Sequence, residues 1–101
     1  MRIVNFLTED KWTRGCMAED ENGHPVQSQA VEACRWCISG AIELCYPDWY
    51  ENSAVRDRVV EYVNSIGDLS CDPGEWVSIS TWNDHLATWP AVKKMLERLQ
   101  V

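Results

Sequence analysis

Basic residues are scarce. Nine Lys and Arg stand against sixteen Asp and Glu, a formal net charge of −7 over 101 residues. Proteins that grip a nucleic-acid backbone rely on clustered Lys and Arg, so this balance argues against direct nucleic-acid binding. No apolar run approaches the ~20 residues that a membrane-spanning helix needs. The chain also lacks a Gly-rich phosphate loop, a G-x-S-x-G elbow and an H-E-x-x-H pair, which removes the usual sequence signs of nucleotide, serine-hydrolase and zinc-protease chemistry. Cysteines are five, an odd number, and three of them crowd into residues 34–45. That pattern is not a secreted disulfide framework, and no signal peptide precedes it, so a reduced, cytoplasmic protein is expected. With no linker, repeat or low-complexity segment, the chain reads as a single domain, 1–101.

Tryptophan, by contrast, is plentiful. Trp12, Trp36, Trp49, Trp76, Trp82 and Trp89 make six in a short chain. Each can bury a large area, but each brings an indole N–H that needs a partner. The stretch that organises the rest is residues 29–46, where the polar residues Glu32, Arg35, Ser39 and Glu43 form one narrow helical stripe and nearly all others are apolar or small. This spacing predicts a central buried helix, capped by Ser28 and ended by Pro47.

Other elements are read around it. Residues 2–11 fit a short helix, and Asn22-Gly23 marks a small hairpin within 15–26, since both residues tolerate the positive φ of a type I′ turn. Residues 47–52 read as a loop carrying Trp49 and Tyr50. Val55, Val59, Tyr62, Val63 and Ile66 then set out an amphipathic helix, capped by Asn52 or Ser53 and stopped by Gly67. Residues 68–75 are a loop by composition, and 76–82 fit either a strand or a helical turn. A last helix begins at Thr88, with Pro90 in its first turn and Val92, Met95, Leu96 and Leu99 on its apolar face. The fold class expected is mainly α (α+β): three or four helices around the 29–46 helix, with a small β-hairpin near 15–26.

Two constellations could carry chemistry. Cys34 and Cys37 form a C-x-x-C, for which His24, Cys45, Cys71 and His85 are the remaining candidate zinc ligands. Zinc sites usually draw cysteine pairs from turns, so buried small hydrophobes are the plainer reading and no metal or cofactor is expected. The run Trp82, Asn83, Asp84 and His85 sets a ring, an amide, a carboxylate and an imidazole side by side, yet no nucleophile accompanies it. Its plainer reading is a turn that satisfies backbone donors. The acidic run Glu19, Asp20 and Glu21 lacks the ligand spacing of a calcium loop.

In order, Trp12-Thr13-x-Gly15, Asn22-Gly23-x-Pro25-Val26, Trp36-Cys37-x-x-Gly40-Ala41 and Trp82-Asn83-Asp84 resemble an uncharacterised family of small bacterial and phage-encoded domains. The resemblance spans most of the chain and implies an architecture and a prokaryotic or phage origin, with no assigned activity. This sequence departs from the pattern after Asp84, where His85-Leu86-Ala87-Thr88 replaces a Gly-Arg-Thr-like turn. The same motifs have a packing reading, in which Trp12, Trp36 and Trp82 surround Gly40 and Ala41 while Asn83 and Asp84 satisfy indole or backbone donors.

Together these features lead to the expectation of a non-enzymatic interaction domain, such as a phage-encoded inhibitor of a host defence complex. Its binding residues would be Glu19, Asp20 and Glu21 with Trp49, Tyr50, Trp76 or Trp89, and its partner a protein with a basic surface. The competing expectations are a ligand or enzyme site at Trp82, Asn83, Asp84 and His85, and a zinc-stabilised adaptor through Cys34 and Cys37.

Overall fold

The computed structural model describes residues 1–65 and 77–101. Two single 3₁₀ turns open the chain, Ile3–Asn5 and Glu9–Lys11. They turn Ile3 and Leu7 into the core and leave Asn5, Glu9 and Asp10 in solvent. A longer helix is interrupted at Thr8, whose backbone is extended.

Strand β1 (Ala18–Glu19) pairs antiparallel with β2 (Pro25–Val26), in the register Ala18 to Val26 and Glu19 to Pro25. The hairpin lies where Asn22-Gly23 marks it, but its turn is not type I′. Of the two residues only Gly23 has positive φ, +80°. The Asp20 carboxylate accepts from the backbone N–H of Asn22 (2.9 Å) and of His24 (3.0 Å), and this side-chain scaffold holds a longer loop.

The largest difference from the sequence reading concerns residues 29–46. Only Ile38–Cys45 is helical, and this is helix α1. Residues 29–34 form turns, and Arg35–Trp36 is a strand, β3, on the other side of β1, with Ala18 opposite Trp36 and Glu19 opposite Arg35. The sheet order is therefore β2-β1-β3. The physical reason is β1's second edge, whose backbone groups need partners that a helix here would deny them. Cys34 N–H reaches Glu19 C=O at 2.9 Å and Cys37 N–H reaches Met17 C=O at 3.1 Å, extending the pairing at both ends. An Arg35 to Glu19 ion pair at 2.5 Å reinforces it. Ser28 is not the cap: its hydroxyl donates to Glu43, and its carbonyl accepts the Trp36 indole N–H. The cap is Cys37, whose thiol sulfur accepts from Gly40 N–H at 3.3 Å. Short as it is, α1 remains central, with Ile38, Ala41 and Ile42 fully buried.

Helix α2 (Trp49–Ser65) starts before the residues expected to cap it. Asp48 fills that place, its carboxylate accepting from Tyr50 N–H at 2.9 Å and Glu51 N–H at 3.2 Å. The local signal is the D-x-x-E of Asp48 and Glu51. Asp48→Ala should therefore cost about 1 kcal/mol in a urea melt, whereas Ser53→Ala should stay within about 0.5 kcal/mol. Equal effects would return the cap to Ser53. Val55, Val59 and Val63 face the core as their spacing requires. Ile66, Gly67, the 68–75 loop and Trp76 lie outside the described residues.

Residues 79–82 resolve as helical: Ile79–Thr81, capped by the extended Ser78, is a single turn, α3, which widens into a π turn over Trp82–Leu86. The closing bond of that turn runs from Ala87 N–H to Trp82 C=O, five residues back, at 2.7 Å. Helix α4 (Trp89–Leu99) follows, with Pro90 in its first turn and Val92, Met95 and Leu96 buried. Helix α1 packs on α2 and α3, and α2 on α3 and α4, around one core that includes Ile3, Ile42, Val59, Val63, Met95 and Trp82. Among the described residues the fold is α+β, with α1, α2 and α4 as its substantial helices and a three-stranded antiparallel sheet.

Candidate functional site

The π turn carries a connected polar cluster centred on Asn83. Asn83 is fully buried. Its Oδ1 accepts from the Trp12 indole N–H at 2.8 Å and from Ile38 N–H at 3.0 Å, while its Nδ2 donates to Thr13 C=O at 3.1 Å and to the Asp84 carboxylate at 2.8 Å. One end of the amide faces two N–H groups and the other faces two oxygens, so its orientation is set by chemistry. A side-chain amide has two donor hydrogens and two acceptor lone pairs, and here all four are used within the chain. Asp84, half-buried, accepts at the same oxygen from Gly15 N–H at 2.9 Å. Trp82 is buried in the core and His85 is exposed.

This hub joins three distant segments. Residues 12–15, the start of α1 and the π turn meet at one amide, and Arg14 adds a bond to Ala87 C=O while its guanidinium lies 4.8 Å from the Trp12 ring. The motifs W-T-x-G and W-N-D are thus two halves of one junction. Asn83 has no remaining capacity for a ligand, and His85, exposed to solvent, makes no side-chain hydrogen bond among the described residues. The small residues near Gly40 serve a different neighbour than expected: Gly40 lies against the Met17 backbone, and Trp36 packs edge-on to Phe6 at 4.8 Å.

The acidic loop is also partly committed. Glu19 pairs with Arg35, which further donates to Asp20 C=O at 2.8 Å. Asp20 scaffolds the hairpin loop, and its hydrogen bond from His24 N–H holds its carboxyl below the usual carboxylate range. Glu21 alone of the three is exposed and outside these bonds.

Cys34 and Cys37 do not share a helix face, because β3 separates Cys34 from the start of α1. The Cys34 thiol donates to Glu19 C=O, and Cys37 serves as the helix cap. Burial pushes the Cys37 thiol above its ordinary range, which keeps it protonated and a poor nucleophile at neutral pH. Among the described residues no group of three or more His, Cys, Asp or Glu is placed to hold a metal ion. Cys71 lies outside those residues.

The aromatics divide sharply. Trp12, Trp36 and Trp82 are built into the core and the hub, and Trp89 is half-buried against Trp12. Trp49 and Tyr50 are 77% and 74% exposed, side by side in the first turn of α2 with their rings 6.0 Å apart and edge to face. The Asp48 cap, not legible until the helix start is recognised, is what puts both rings on a rigid element rather than on a loop.

What these observations define is a small α+β domain whose Asn83 cluster is bonded within the chain and which exposes, among the described residues, aromatic and acidic side chains. The chain belongs to DUF6197, a family of unknown function whose model matches residues 2–100. No curated protein and no solved structure matches it. No helix among the described residues is long and apolar enough to cross a membrane.

Proposed function

We propose that this chain is a non-enzymatic protein-interaction domain that presents an acidic, aromatic-bearing surface to a basic partner protein. The observation that carries the reading is the Trp49–Tyr50 pair, two large rings left in water at the head of a helix that otherwise buries its apolar side. Exposed Trp and Tyr are the residue types that most often anchor interfaces, because they add area at little cost in side-chain entropy.

Charge on the same helix supports the reading. On α2 the exposed carboxylates Glu51, Asp57 and Glu61 make no ion pair among the described residues. Its cations are engaged elsewhere: Arg56 donates to Ser39 Oγ and to Asn52, and Arg58 to Leu99 C=O. A chain of net charge −7 with such a face would be steered to a basic surface. If the basic patch is one that the partner uses for nucleic acid, the domain acts there as a competitive inhibitor.

The test is capture of a partner from the source cell's lysate with the wild-type chain and with Trp49→Ala/Tyr50→Ala. The double variant should keep its circular dichroism and melting midpoint yet bind at least about tenfold more weakly. Raising salt from ~50 to ~500 mM should weaken the wild-type complex by a similar factor. A partner held equally by both proteins and at both salt levels would overturn the reading.

A further inference from the structure

A groove of about 300 Å³ runs between the N-terminal turns and α4, on residues unconnected with the Trp49–Tyr50 surface. Its floor is Leu7 and Leu96, both almost fully buried, and its walls are Val4 and Trp89. Trp89 is held in place. Its ring lies 6.1 Å from Trp12, tilted by 44°, and the Trp12 indole is in turn bonded to Asn83. The groove is therefore preformed, so an occupant need not pay for ordering its walls.

Size and shape narrow the occupant. At the bottom of the ~300–1,000 Å³ range of small-molecule pockets, the groove suits one or two bulky side chains rather than a large cofactor. It is open to solvent along one side, as a side chain carried on a backbone requires. Charge narrows it further. Glu9 and Glu97 stand on the rim against a single cation, Lys93, and none of the three makes an ion pair among the described residues.

We propose that this groove is a second binding site, which takes one bulky aliphatic or aromatic side chain of a partner peptide carrying Lys or Arg beside it. The side chain fills the space between Leu7, Leu96 and Trp89. The flanking cations meet Glu9 and Glu97.

The test is an amide and indole NMR titration of the full chain with three capped pentapeptides: Lys-Gly-Trp-Gly-Lys, Glu-Gly-Trp-Gly-Glu and Lys-Gly-Ala-Gly-Lys. The first should shift Val4, Leu7, Leu96 and the Trp89 indole, with the other two at least about fivefold weaker. Glu9→Lys/Glu97→Lys, both at exposed positions, should reverse the preference for lysine over glutamate while leaving the remaining spectrum in place. Shifts outside the groove, an alanine peptide that binds as well, or a preference that survives charge reversal would each overturn the proposal. Trp49→Ala/Tyr50→Ala should leave the groove shifts unchanged, so this site and the α2 surface fail or stand separately.

Discussion

Asn83→Ala is expected to lose about 3–6 kcal/mol in a urea melt, a large part of the stability of a domain this size. The substitution strands the Ile38 N–H in a buried site and the Trp12 indole N–H and Thr13 C=O in part-buried ones, and a buried group left without a partner costs about 1–3 kcal/mol. Asn83→Asp preserves the shape and the two acceptor bonds, yet it should do no better. It removes the donor to Thr13 and replaces the donor to Asp84 with a second carboxylate, so two negative groups stand at hydrogen-bond distance. Asp84→Ala is the milder control. Its carboxylate is half-buried and serves Gly15 N–H from the rim, where water can substitute, so about 1–2 kcal/mol is expected. A loss below about 1.5 kcal/mol for Asn83→Ala would show that the three segments hold together without this amide.

Gly40→Ala should be nearly as damaging, although helix propensity alone says the opposite. Alanine is favoured over glycine by about 1 kcal/mol in a helix interior, and Gly40 sits inside α1. A Cβ at Gly40, however, would lie 1.9 Å from the Met17 carbonyl oxygen and 2.8 Å from its carbon. That oxygen accepts the Cys37 N–H at 3.1 Å, at the point where β3 passes into α1. The obstacle is backbone held by its own bonding, so no side chain can swing aside. A net cost of about 3 kcal/mol or more is expected, at the top of the range for overpacked cores, with a fall in melting midpoint of roughly 12–24 °C. A midpoint that rises, as propensity alone predicts, would mean that the sheet and α1 can separate without penalty.

Much of the fold was legible because its signals are local. In α4, Val92, Met95 and Leu96 recur at helical spacing after Pro90, and the helix lies where that spacing puts it. In α2, Val55, Val59 and Val63 do the same. Asn22-Gly23 marks the hairpin, although the five-residue loop follows from the Asp20 carboxylate rather than from the dipeptide. Helix α2 starts a few residues before Asn52 and Ser53 because Asp48 is an equally good cap by type, and the choice rests on which carboxylate or hydroxyl meets free N–H groups.

The sequence by itself therefore determined the amphipathic helices, the hairpin position, the acidic balance and the supply of tryptophans. Each depends on residues within a few positions of one another, or on composition. Tertiary structure decided that residues 29–36 are not helical, because the open edge of β1 offers backbone partners that no local pattern records. It also decided which tryptophans serve the core and which face water. It also named the groups that Asn83 satisfies, a role the sequence already favours without its partners, since these lie at Trp12, Thr13 and Ile38, dozens of residues away along the chain. Hydrogen-bond satisfaction in a buried site is a property of the assembled fold, and spacing along a chain carries no trace of it.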